Sequence, residues 1–163
     1  MKHLLNRPII TVVAGYWAMF WMMNAFDKIL ARQDLGFVFW YGNHRIEKFT
    51  MYFDRLGYGP EGVWGTLMFA GIIEAAVAFM FLWAMYKIAK NQPGAIRLND
   101  RAIAVSILVF FGFAVFDVVV GDRAELLEHS TYVGVLLISY LAGAIEGVFM
   151  HLRKQQSMVE PAE

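Results

Sequence analysis

The sequence predicts an all-α fold: an integral membrane four-helix bundle with an amphipathic or re-entrant helix between spans 1 and 2. Three observations carry that class. Of the 163 residues, 59% are hydrophobic, above the roughly 45–50% of soluble domains. Four apolar runs, at about 8–31, 63–86, 102–120 and 131–150, come close to or exceed the roughly 20 residues that cross a bilayer at 1.5 Å each. Between the first two runs lies a stretch too charged to span but patterned as a helix.

The first run follows a short basic lead, residues 1–7. It is too long for a signal peptide and no small-x-small cleavage site follows it, so it reads as a retained span. Pro8 suits a first helical turn, where its missing N–H costs nothing. Trp17 and Trp21 read as lipid- or partner-facing side chains. Asn24, Asp27 and Lys28 fall near the far end. Residues 32–62 form the longest connection. Asn43 is placed to cap a helix that puts Ile46, Phe49, Phe53 and Leu56 on one stripe, and Gly57, Gly59 and Pro60 end it. With the aromatic run 37–41 in front of it, including Trp40, this helix reads as lying on the membrane or dipping into the bundle. Trp40, Phe49 and Phe53 are expected at the interface or against a partner.

The second span carries Trp64, Trp83 and Tyr86 at interfacial depth. A basic loop, 87–101, is broken by Pro93-Gly94, and Asn99-Asp100 is the expected cap of the third span. Residues 121–129 read as a short acidic loop, with Ser130 or Thr131 capping the fourth span. The domain is thus 1–152, and 153–163 is expected to be a disordered polar tail. An even number of spans puts both termini beside the 87–101 loop. Lys2, Arg7, Lys87, Lys90, Arg97, Arg101, Arg153 and Lys154 then share one side, which places the termini in the cytoplasm by the positive-inside rule.

Charge and composition exclude several functions. The formal net charge is zero and the basic residues form no patch, so no nucleic-acid partner is expected. Without cysteine there is no disulfide, iron–sulfur cluster or thiolate zinc site. Of the four histidines none lies mid-span, so no pair can clamp a haem. His44 and His129 share one side and are the only histidines placed to meet there.

Asp27, Glu74, Asp117 and Glu146 give one carboxylate per span, as in di-iron bundles. Depth argues against a metal: at 1.5 Å per residue, Asp27 and Asp117 lie about 5 Å inside one boundary, Glu74 about 15 Å and Glu146 about 22 Å. Asp27 and Asp117 share a level, where they could pair or line the mouth of a polar cavity with Lys28 or Arg123. Glu74, alone at mid-membrane, is the expensive one, and ionisable residues at that depth usually mark function. A protonated Glu74 could donate a hydrogen bond to a quinone carbonyl or to a backbone carbonyl of a neighbouring helix. Gly143 and Gly147 give the fourth helix a small face for close packing.

Three segments together resemble a known family. A first span ends in Asn24-Ala25-Phe26-Asp27-Lys28-Ile29, an amphipathic stretch closes on Leu56-Gly57-Tyr58-Gly59-Pro60, and the second span carries Gly71-Ile72-Ile73-Glu74. Over about its first 90 residues the chain resembles the DoxX-like family of small four-helix membrane proteins, which includes the DoxD-type subunit of thiosulfate:quinone oxidoreductase. It departs from the family at Asp27, where glycine is usual, and at the end of the second span. The resemblance implies a bundle in the bacterial inner membrane that works beside quinone-linked redox enzymes, with quinone as the associated cofactor and other membrane subunits as partners.

The first reading is therefore a membrane subunit of a quinone-linked electron-transfer complex, with no haem or metal of its own. Glu74, Asp117, Asp27, Lys28 and Asn24 are its pocket candidates. The alternative is a non-catalytic accessory or assembly subunit of a larger complex. A third is a small proton-coupled carrier that uses the staircase of carboxylates.

Overall fold

The computed structural model describes residues 7–159; residues 1–6 of the basic lead and the last four of the tail lie outside them. Four long helices, each long and apolar enough to cross a membrane, dominate the chain: α1 (Pro8–Leu30), α3 (Val63–Ala89), α4 (Ala95–Val120) and α5 (Arg123–Val159). Between α1 and α3 come a two-stranded antiparallel hairpin, β1 (Gln33–Asp34) and β2 (Phe39–Trp40), the short helix α2 (Arg45–Arg55) and a 3-10 turn, Pro60–Gly62. Helix α1 packs on α3 and α5, and α3 and α5 both pack on α4. The core threads this arrangement: Trp17, Trp21, Phe81, Phe110 and Leu136 are all buried.

Helix boundaries follow local chemistry. Pro8 does occupy the first turn of α1. The amides of Ile9 and Ile10, which no helical carbonyl can satisfy, donate to the two oxygens of Glu146 at 2.9 and 3.2 Å. A carboxylate on α5 thus caps α1 and meets the positive end of its dipole. At the other end of the molecule Arg55 Nη1 donates to the Val120 carbonyl at 2.7 Å, so α2 covers the last turn of α4.

Several expected boundaries move. Helix α4 starts at Ala95, directly after Gly94 at φ +76°, so Asn99 and Asp100 lie inside it and cap nothing. Helix α5 starts at Arg123, and residues 123–129 are helix rather than loop. Asp122 makes the difference: its Oδ1 accepts from the amides of Ala124 and Glu125, both at 3.0 Å. Ser130 and Thr131, expected as caps, bond back to Leu126 and Leu127 carbonyls within the helix. The polar tail continues the helix to Val159. In α2 the capping position belongs to His44, not Asn43; the Asn43 amide instead donates to Asp27.

Trp17 and Trp21 correct the expectation that they face lipid or a partner. Each is 1% exposed, because its indole N–H finds an acceptor inside: Ser139 Oγ for Trp17 and Ser106 Oγ for Trp21, both at 3.1 Å. A buried indole needs such a partner. Within α2 the stripe also rotates. Tyr52 is buried while Ile46 is 45% exposed, and Phe49 and Phe53 are half-buried against their own chain, Phe49 stacking on Phe116 and Phe53 meeting Tyr58.

Candidate functional site

A group of polar residues collects at the end of the bundle covered by α2. There α1, α3, α4 and α5 diverge around a cleft with about 640 Å³ of unfilled space, its open side included. Aromatic rings form about half of the lining, and polar or charged side chains nearly all the rest. Trp21 lies 4.6 Å from Phe110, Phe110 lies 5.2 Å from Tyr132, and both pairs are inclined by about 30°. Phe20, Phe113 and Phe116 continue the lining, with Phe49 and Tyr52 of α2 on the covering side. Such walls offer flat apolar surface with few hydrogen bonds, the chemistry of a small-molecule pocket.

Four of the five expected pocket residues line this cleft: Asn24, Lys28, Glu74 and Asp117. Glu74 is not alone. Lys28 Nζ reaches both of its oxygens at 2.6 and 2.5 Å, and the two side chains are 9% and 4% exposed. The flexible lysine stem spans the difference in level between α1 and mid-α3, as long amphipathic side chains do. Gly71, one turn before Glu74, lies against that stem. Both Glu74 oxygens are thus engaged by Lys28 inside the protein, and no backbone carbonyl of a neighbouring helix is needed as their partner.

Asp27 goes elsewhere. Its Oδ1 accepts from Trp40 Nε1 at 2.9 Å and its Oδ2 from the Asn43 amide at 3.0 Å, so it anchors the segment after β2. Gly42, at φ +51°, sits so close to Asp27 and Trp40 that a Cβ there would collide with both. Asp27 and Asp117 therefore do not meet, and neither do His44 and His129: His44 turns to Glu47. Glu146 serves the opposite end of the molecule. Among the described residues no three His, Cys, Asp or Glu side chains gather as a metal site.

The residue that completes the site is His129. Its Nδ1 lies 2.6 Å from Asp117 Oδ2. Its ring is held beside Phe110 and Phe113 at 5.8 and 5.3 Å. The Asp117 carboxylate favours a proton on Nδ1, which leaves Nε2 as the acceptor of a neutral imidazole. Glu125 Oε2 is 3.8 Å from that nitrogen, beyond hydrogen-bond reach. Nε2 is thus a base in an aromatic cleft, oriented by a carboxylate behind it.

Around this pair runs an ionic collar that fastens α2. Arg45 and Lys48 both bond Glu125 Oε1, at 2.8 and 2.5 Å, and Lys48 also lies 3.1 Å from Asp122. Tyr52 donates to Asp122 Oδ2 at 2.6 Å. Hydrogen bonds from the Tyr52 hydroxyl and the Glu125 amide hold the Asp122 carboxyl well below the usual range. Burial and the bond to Asp122 push Tyr52 up to about 12. Burial works against the Lys48 ammonium, but its bonds to Glu125, Tyr52 and Asp122 prevail and hold it above an ordinary lysine.

The sequence singles out His129 only as a partner for His44 and passes over Glu125 and Asp122, yet a signal is there. Asp122-Arg123-Ala124-Glu125 has the spacing of a capping box. Starting the helix at that point puts Glu125, Glu128, His129 and Tyr132 on one face. Comparison with family models, curated proteins and solved structures found no match for the chain.

Proposed function

We propose that the chain is a bacterial inner-membrane subunit of a quinone-linked electron-transfer complex, and that the cleft beneath α2 receives the quinone ring. On this reading the four long helices span the bilayer, both termini are cytoplasmic, and α2 lies as an amphipathic cover on the outer side. The observation that carries the reading is the Asp117–His129 pair set into walls of aromatic rings. A quinone supplies two-electron redox chemistry coupled to protons. The residues present fit it: flat apolar walls for the ring, and His129 Nε2 as acceptor for a ring hydroxyl, with Asp117 stabilising the imidazolium that results. The Lys28–Glu74 pair presents a further polar pole in the same cleft. Lysine has three donors and Glu74 takes two, so the third is left for a ring oxygen.

The two cations that line the cleft, Lys28 and Arg45, are paired with Glu74 and Glu125, so neither stands unpaired for an anionic ligand. The resemblance to the DoxX-like family points the same way, and two of its three segments meet in space, through Lys28 against Gly71 and Glu74. The accessory-subunit reading rests on Trp17, Trp21, Phe39 and Trp40 as contact surface; Trp17 and Trp21 are buried, whereas Phe39 is exposed and Trp40 half-buried.

The test is purification in mild detergent, lipid extraction and chromatographic assay of quinone, followed by titration with a short-chain quinone. Wild-type protein should carry or bind quinone, and His129→Gln should bind the reduced quinol, whose ring hydroxyl is the donor to Nε2, about 10-fold or more weaker, the loss expected for one hydrogen bond to a charged or strongly polarised group. Wild-type protein that neither retains nor binds quinone would overturn the proposal.

A further inference from the structure

We propose that the groove beneath the β1–β2 hairpin seats a phospholipid from the membrane leaflet at the α2 end. The hairpin turns at Gly36 and displays apolar side chains where a soluble hairpin would show polar ones: Phe37 is 88% exposed, and Val38, Phe39 and Tyr41 are exposed beside it. Contiguous apolar surface of this kind marks contact with membrane or partner. Its position favours lipid. Along α1 the exposed residues Val12, Tyr16, Met19, Met23 and Phe26 follow one another at steps of four and three, a continuous stripe on one helix face. Met23 of that stripe forms one wall of the groove, and Val38, Phe39 and Tyr41 form the other. The hairpin thus caps the end of a stripe whose length and composition suit an acyl chain.

The polar groups complete the fit. Asn24 lines the groove among the apolar residues, its amide a donor for a lipid ester, while Asp27 beside it is engaged by Trp40 and Asn43. Arg32 lies over the Tyr41 ring, its Cζ 3.5 Å from the centroid, and makes no ion pair among the described residues. A guanidinium held on an aromatic ring at the rim, with donors to spare, is complementary to a phosphate. Acyl chain, ester region and phosphate follow in order from stripe to groove to rim. This seat shares only Asn24 with the cleft under α2; it rests on the reading that the four long helices span a bilayer, not on quinone in that cleft.

Because the chain has no cysteine, Phe37→Cys gives a single labelling position on an exposed side chain. With a polarity-sensitive dye there, the protein would be placed in phosphatidylcholine–phosphatidylglycerol vesicles with bromine near the top of the acyl chains. Blue-shifted emission is expected, quenched several-fold more by brominated lipid than by aqueous iodide. In a second arm, native mass spectrometry from nanodiscs should show several-fold fewer phospholipid adducts for Arg32→Gln than for wild type. Strong iodide quenching with no effect of bromine would overturn the proposal, as would equal adducts in the second arm. A label shielded only when another protein is added would replace lipid by a protein partner and overturn it too.

Discussion

Lys28 and Glu74 show what a mid-helix charge costs and how the chain meets that cost. Removing one partner of a buried pair leaves the other uncompensated, typically at about 3–5 kcal/mol, whereas replacing both with apolar residues of similar volume is often neutral. Lys28→Met should therefore lower thermal stability in detergent markedly, and the double change Lys28→Met with Glu74→Met should recover most of it. If quinone binding falls about 10-fold in the stable double variant, the pair contributes a ring contact; if binding is unchanged, the pair is structural and His129 alone recognises the ring. Asp117 poses a different question, because it acts through His129. Asp117→Asn keeps the shape but presents an amide to Nδ1, which loses the preference for a proton there. Quinol affinity should drop, while His129→Gln in the same background should add little, since neighbours in one network are not additive. Full additivity of the two changes would show that they act independently.

At the scale of elements, α2 is a short helix held by charge more than by apolar burial, and its hold has a defined pH range. Asp122, kept below its ordinary value, stabilises the folded state above its unfolded pKa of about 3.9, and that contribution is lost as pH falls. Tyr52, raised to about 12, stabilises it below its ordinary value of about 10, and the contribution is lost as pH rises through 12. Lys48, also raised, acts in the same direction as Tyr52. Protection of the α2 amides from hydrogen exchange, corrected for the intrinsic rate, should therefore be flat from about pH 4 to 10 and fall outside that range. Asp122→Asn should remove the acid-side fall and weaken protection across the plateau; unchanged protection would mean that packing of Phe49 and Tyr52 suffices. Glu146 gives a parallel case at the other end. Glu146→Ala strips the cap from α1, at about 1–2 kcal/mol, and faster exchange at the amides of Ile9 and Ile10 is the local signature.

For the molecule as a whole, the apolar runs announced four long helices because burying backbone in so many apolar residues leaves few other structures. Hydropathy could not say which helix pairs with which, nor that Asp122 starts α5 eight residues before the apolar run resumes. His129 was hidden by that boundary: counted as loop it is a surface histidine, counted as helix it faces Asp117. Glu74 and Lys28 were both visible, but depth arithmetic on Cα positions made them different levels, and only the reach of the lysine side chain joined them. Trp17 and Trp21 misled for a similar reason, since Ser139 and Ser106, more than 80 residues away in sequence, allow the indoles to be buried. The arrangement also fixes which groups share a side. Arg45, Lys48, Asp54 and the cleft lie at one end, and the turn between α3 and α4 and the end of α5 at the other. Asp54 and Gln155, both exposed, are suitable single-cysteine positions in a chain that has none. With termini in the cytoplasm, an impermeant maleimide added to intact bacterial cells should label Asp54→Cys and spare Gln155→Cys until the membrane is broken. The reverse pattern would turn the molecule over and bring the mouth of the cleft to the cytoplasmic side.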